Sequence, residues 1–460
     1  MTLMSRGDSS SLLILSNCYR GQFMAKLTFL SGLREIGGTV VAVETDTTIC
    51  YFDFGFSYAD RIDNKVNLRK GCEAFDYVKL GVLNAIDGIY ESETASKLGL
   101  KAYGETDKKI FIIISHMHID HMGGLGALHQ DVPVYMSADS AKLYHELGVM
   151  GELEIREHRN VLPMEYDGDI TFGDIKVTCV QVDHDVVGAC GFLIEADGKR
   201  ICYTGDYRYH GYHPEISAAF AEKCKGADLM ISEGVTISSV DVDMLSLEGP
   251  VRDRTEATLL EDFKQHALEE EKLIVINNYN RNVERIHRFI RVLGESGRTL
   301  ALEPEQADYV AAFYPEDEFA VYLPEGGELK APLLKGRPVA IRKMLLDNPE
   351  KYVLQQDYKH IYELFELESV ISLYLHMDGA PLGDYDPSYA KFYSLLENLG
   401  INFERCGLGG HAEPYYLRHT VDVIEPKILV PLHSFRPEQL VSEHAGKIIL
   451  PEVGETIKLS

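Results

Sequence analysis

From residue 25 the apolar positions fall in short runs broken by glycine: KLTFLSG, TVVAVET and TICYFDFG. Such runs of β-branched and aromatic residues between turn residues predict hairpin strands. Residues 73–101 mix helical spacing with charge, and IFIIIS at 110–115 predicts a buried strand. Strand-like runs recur in VPVYMS, DITFGDIKVTCVQVD, GFLIEAD and KRICYTGD, with helical stretches such as SADSAKLYHELGVM between some of them. ADLMISEG at 227–234 predicts a further strand, ending in an acidic residue.

The pattern then changes. Residues 255–272 have helical spacing, LIVINNYN predicts a strand and RNVERIHRFIRVLGESG a helix. Strand–helix alternation continues through 300–375, the pattern of a parallel sheet. From 406 the earlier style returns: CGLGGHAEP, a helix through YYLRHTVDVIEP, then KILVPLH and KIILPEVGETIKLS. The middle region therefore reads as an insertion. The expected division is an extension at 1–23, a first domain opening at 24–240, an inserted α/β domain at 241–404, and completion of the first domain at 405–460. Met24 reads as the natural start.

The strand at 110–115 runs into HMHIDH, which places His116, His118, Asp120 and His121 within six residues. Crowding these groups costs repulsion and desolvation, which a bound cation offsets. Imidazole with carboxylate suits zinc or a similar first-row dication. If the strand continues, His116 and His118 share one face and Asp120 and His121 lie on the turn beyond. Three more candidate ligands close predicted strands: His184 in VQVDHD, Asp206 in CYTGD and His433 in VPLH. Strand ends gather at one edge of a sheet, so the set points to a single site. His210 and His213 follow Asp206 closely.

These motifs, in this order, resemble the metallo-β-lactamase superfamily, and within it the β-CASP nucleic-acid hydrolases that include ribonuclease J. The resemblance runs from about residue 25 through GLREIGGTVVAVE to the terminal PEVGETIKLS. It implies an αββα sandwich with metals at one edge, capped by an inserted β-CASP domain. It also implies two zinc ions, with manganese or iron as substitutes. One is held by His116, His118 and His184, the other by Asp120, His121 and His433, with Asp206 bridging. Glu233 in ISEG and His411 in GGHAEP match two further family motifs, and with Asp120 they form the implied catalytic set. Two ions that share a water promote attack on phosphorus. His411 would protonate the leaving oxygen as general acid, oriented by Glu233.

The implied substrate is RNA. Arg281, Arg285, Arg288 and Arg291 recur at helical spacing in INNYNRNVERIHRFIR, a stretch resembling the SN-x-x-R motif of ribonuclease J. Asn278, Arg281 and Arg285, with Gly409 and Gly410, form the expected substrate-binding set. A second basic run holds Lys330, Lys335, Arg337, Arg342 and Lys343. Ribonuclease J carries a serine and a histidine shortly before its motif histidine, which help to hold a 5′-monophosphate. Gly407 and Gly409 stand in those places here, so the resemblance does not extend to 5′-end sensing through side chains. Glycine amides still offer anion binding.

Composition narrows the picture. The net charge of −27 argues against indiscriminate polyanion binding. The alternative reading is therefore a metallohydrolase of a small phosphodiester or lactone-type substrate, and a third is an inactive binding protein. No stretch approaches the roughly 20 apolar residues that span a membrane. The 8 cysteines form no CxxC pair, which fits reduced thiols in a cytoplasmic protein. A homo-oligomer is left open.

Overall fold

The structure is a computed structural model that describes residues 24–57, 66–252, 254–324, 327–329, 331–384 and 386–459. The expected extension at 1–23 and Lys330 lie outside the described residues.

Two seven-stranded sheets form a sandwich. The first contains the hairpin strands Lys26–Ser31, Val40–Glu44 and Thr48–Phe52, followed by Lys109–Ile113 in parallel. The second contains Ile175–Gln181, Cys190–Ala196, Lys199–Tyr203, Leu229–Ser232 and Ile428–Pro431. Alternate residues of the two sheets meet in one apolar layer: Leu27, Val41, Phe52 and Phe111 face Val177, Phe192, Ile201 and Val430. Outside the second sheet, helices Pro214–Lys223 and Pro414–Ile424 bury Phe220, Leu417 and Val421. Helices Ser92–Leu98 and Ala138–Met150 cover the outer face of the first. This is the expected αββα arrangement.

A third seven-stranded sheet is drawn from residues 273–405 and is parallel throughout. Its strand Leu273–Asn278 shows why both of its faces are covered. Ile274 and Ile276 pack with helices Glu256–Glu269 and Val283–Ser296, while Leu273 and Val275 pack with Tyr374 and Phe392 on the other side. A parallel strand buried on both faces reads as a continuous apolar run, which is why LIVI has no polar alternation. One apolar cluster is continuous between the helical side of this sheet and the outer layer of the first sheet.

Candidate metal centre

Strand pairing puts the chemistry at one edge. Lys199–Tyr203, Leu229–Ser232 and Ile428–Pro431 are parallel neighbours, with Tyr203 beside Ile231 and Ser232 beside Pro431. Their carboxyl ends are level, so Asp206, Glu233 and His433 emerge together. In the facing sheet Phe52 pairs with Ile113, which brings Asp53 alongside Ser115 and the histidine loop. The strand here ends at Ile113 and does not extend through the motif. His116 and His118 sit on a loop, and Asp120 and His121 on a short helix, Ile119–Met122. The expectation of two histidines alternating on a strand is thus corrected. A loop followed by a helical turn curls all four groups towards one point.

Three nitrogens converge first. His118 Nδ1 is 3.0 Å from His116 Nε2 and 3.3 Å from His184 Nε2. One proton cannot serve both contacts, but one cation can. Ligand atoms about 2.0–2.1 Å from a tetrahedral ion stand about 3.3 Å apart, so the spacing fits. A second group forms where His121 Nε2 and His433 Nε2 each lie 3.6 Å from Asp120 Oδ2. Asp206 Oδ2 sits between the groups, 3.6 Å from His116 Nε2, 3.2 Å from His121 Nε2 and 3.5 Å from His433 Nε2. His121 Nε2 and Asp206 Oδ2 are buried atoms with no hydrogen-bond partner. Buried polar atoms are normally satisfied, so this pair marks a place built for a cation. The donor set of imidazole and carboxylate fits a first-row divalent metal.

The electrostatics agree. Burial holds His116 well below the ordinary imidazole range and His118 at about 3, which keeps their lone pairs free. Burial opposes the charged form of Asp206, yet the imidazoles of His433, His121 and His411 outweigh it and keep the carboxyl ionised. Burial also opposes charge on His121, but Asp206, Asp120 and Asp53 hold its pKa high. The Asp206 shift reports the imidazoles around it and the His121 shift reports the three carboxylates, so in each case the site favours positive charge beside negative, which a divalent cation would also supply.

Outer partners fix the rings. Asp53 Oδ2 accepts from His121 Nδ1 at 2.8 Å, and the same carboxylate is held by the Ser115 amide at 2.7 Å and by the Tyr203 hydroxyl. His184 Nδ1 donates to the Gly410 carbonyl at 2.6 Å, which turns Nε2 towards the site. His433 adopts a left-handed backbone with φ of 54°, and its Nδ1 faces the Gly37 amide at 3.2 Å and the Thr39 hydroxyl at 3.4 Å. Asp185 Oδ1 approaches His118 Nε2 at 3.4 Å and His184 Nε2 at 3.3 Å.

His411 Nδ1 lies 3.4 Å from Glu233 Oε2 and 3.7 Å from Asp206 Oδ2. Burial works against its charge, but the Glu233 and Asp206 carboxylates raise its pKa to about 9. Glu233 is fixed by accepting from the amides of Val235 at 3.1 Å and Ala412 at 3.3 Å. Asp206, His411 and His433 also form a group close enough to share an ion.

The expected substrate-binding set divides. Arg285 is fully buried, and all five of its N–H groups go to Glu256, Asn278, the Met377 carbonyl and Asp378. Asn278 is buried too, its amide donating to the Tyr279 carbonyl and Gln306. Neither side chain has a donor left for substrate, so both expectations are corrected. Arg281 does reach the metal edge, where its guanidinium donates to the Met117 carbonyl between His116 and His118. Gly410 packs on His184, whereas the Gly409 amide donates to Asp378 Oδ1 at 3.2 Å. The Gly409 amide is therefore used within the protein.

Sequence reasoning missed Asp53, Asp185 and Tyr279, whose ring stands 5.2 Å from that of His118. Asp53 had a usable signal, because TICYFD ends a strand in an acidic residue as CYTGD does. Tyr279 had none beyond its place at a strand end.

Residues 94–249 match the family described as a Beta-lactamase superfamily domain. The chain is similar to Ribonuclease J of Pyrococcus abyssi, with 24% identity over 89% of this chain and 90% of that protein. It is similar to Ribonuclease J2 of Bacillus subtilis, with 20% identity over 94% of this chain and 75% of that protein. A crystal structure of a protein of unknown function from Enterococcus faecalis V583 is 30% identical, covers 95% of this chain and 100% of that one, and superposes with a TM-score of 0.80. The family match spans His116 to Glu233, and the likeness to ribonuclease J proteins continues along most of the remainder, so residues 94–249 form a β-lactamase superfamily domain in a chain that is ribonuclease J-like along most of its length.

Proposed function

We propose that the protein is a two-metal phosphodiester hydrolase acting on RNA, in the cytoplasm, with residues 241–404 as the domain that caps its site. The observation that carries this reading is the position of Asp206 Oδ2 within 3.6 Å of imidazoles from both ligand groups. His116, His118 and His184 would hold one ion and Asp120, His121 and His433 the other, with Asp206 shared. Zinc suits this donor set, with manganese or iron as substitutes. When bound, the ions supply Lewis acidity that activates water and neutralises charge on the phosphate.

The chain's own residues do the rest. Asp53 and the Gly410 carbonyl orient His121 and His184. Glu233 holds the Nδ1 side of His411, so Nε2 is the atom that delivers a proton to the departing 3′ oxygen. The products would carry a 5′-phosphate and a 3′-hydroxyl.

A His411→Ala variant tests the assignment. Turnover of RNA should fall by roughly 100- to 10,000-fold with both metals retained. A nitrophenyl phosphodiester, whose leaving group needs little protonation, should be largely spared. Full activity on RNA, or equal losses on both substrates, would contradict the acid role. Loss of metal would make His411 a ligand, in line with its place beside Asp206 and His433.

A second reading, a hydrolase of small phosphodiesters or lactones, draws support from one observation. The expected basic face is largely tied to acids or carbonyls: Arg288 to Glu284, Arg291 to Asp317, Arg342 to Glu363, Lys343 to Asp347, and Arg337 to the Pro315 and Asp317 carbonyls. Binding of RNA that does not weaken as salt rises would favour this second reading.

A further inference from the structure

We propose that Asp378 is a positioning residue: its carboxylate fills an anion cradle in the glycine loop 407–410 and so sets the orientation of His411 and His184. The inference rests on the metal-dependent hydrolase reading for its consequence, but not for its geometry.

The cradle is made of backbone and guanidinium. The Leu408 amide donates to Asp378 Oδ2 at 2.9 Å and the Gly409 amide to Asp378 Oδ1 at 3.2 Å. Arg285 Nη2 adds a third donor at 3.1 Å, from a guanidinium that is fully buried. Successive amides converging on one carboxylate, with a cation behind them, form a nest for an anion. Glycine at 407 is explained by the same contact, since a Cβ there would come within 2.2 Å of Asp378 Oδ1. Asp378 has φ of 67°, a backbone that aspartate, asparagine and glycine tolerate.

The loop is gripped from the other side as well. The Gly409 carbonyl accepts from Arg208 Nη1 at 3.2 Å and His210 Nε2 at 3.1 Å. Glu256 joins the two grips, accepting from Arg208 at 2.9 Å and Arg285 at 2.7 Å. The next residue, Gly410, gives its carbonyl to His184 Nδ1, and His411 follows. A shift of the cradle would therefore reach a candidate ligand and the candidate acid within two residues.

The test uses Asp378→Gly and Asp378→Asn, both compatible with the backbone. Hydrogen exchange across 406–412 is followed in protein as purified and after chelation, zinc affinity is measured by chelator competition, and RNA cleavage is followed against pH. In the glycine variant the Leu408 and Gly409 amides should lose protection by about tenfold or more. Zinc affinity should fall and cleavage should drop by about 10- to 100-fold. Acetate, which matches the deleted group, should restore protection and activity, whereas chloride at equal ionic strength should not. The Asp378 side chain is 19% exposed, so a small anion can reach the place. The asparagine variant, lacking charge, should show an intermediate loss.

Unchanged exchange in both variants would overturn the proposal, as would loss that acetate leaves untouched. If the glycine variant does not fold, the asparagine variant decides by the same exchange measurement. Wild-type protein that cleaves neither RNA nor a nitrophenyl phosphodiester would instead sink the hydrolase reading, while the exchange result still judges the cradle.

Discussion

Asp53 belongs to no ligand motif, yet it does for His121 what the Gly410 carbonyl does for His184. Its carboxylate takes the Nδ1 proton of the ring and leaves Nε2 to face the site. Such outer partners are worth about 10- to 100-fold in metal affinity. Asp53→Asn should therefore lower the affinity of the second ion by that order with the fold intact, read by chelator competition. Equal affinities in variant and wild type would refute the role. At this scale the candidate ligands were legible as a cluster, because four of them crowd into HMHIDH, and the surroundings of the arginines were not. Helical spacing places Arg281 and Arg285 near one another in projection but says nothing of what faces them. Arg285 meets Glu256, which lies at the start of another helix, and that contact is invisible along the chain.

Elements present the candidate ligands by ending. Three parallel neighbours stop at the same level and release Asp206, Glu233 and His433. The strands themselves were readable from their apolar runs, and so was the change of style that marks the third sheet. The path of the histidine motif was not, because whether a strand continues depends on its partners. Val134–Ser137 pairs with Ile112 and Ile113 and goes no further along Lys109–Ile113. The loop 407–410 was legible only as glycine-rich, and its cradle needs Asp378 from another strand end. Gly410 shows how tightly this element is fitted. A Cβ there would come within 2.4 Å of His184 Cε1 and 2.5 Å of Asp185 Oδ1. Gly410→Ala should displace His184 and cost one bound metal ion per chain, measured by elemental analysis after dialysis. Full loading with two ions would show that the loop yields more easily than this packing implies.

Across the whole molecule, the third sheet's layer meets the sandwich where helix Pro304–Phe313 packs against Ala138–Met150. Asp308 lies in this contact, fully buried, with both carboxylate oxygens lacking a hydrogen-bond partner. Burial raises its pKa, and the Glu146 carboxylate raises it further, to about 7. The sign follows directly. In the folded chain the carboxyl stays neutral until about pH 7, whereas unfolded it ionises near 3.9. Its contribution to stability is therefore lost as pH rises from about 4 to about 7. Asp308→Asn should raise Tm at pH 8, with a gain that shrinks by pH 5. A shift equal at both pH values would contradict a titrating contact.

If this edge holds two metals and cuts RNA by water attack on phosphorus, the chemistry of the new ends is fixed. The most direct measurement is to incubate metal-loaded protein with end-labelled RNA and identify the chemistry of both new ends, with elemental analysis of the same sample. The expected result is two first-row metal ions per chain, with products bearing 5′-phosphate and 3′-hydroxyl, and loss of cleavage on chelation that zinc or manganese restores. RNA left intact by fully loaded protein, or cut to 2′,3′-cyclic phosphate ends, would contradict it.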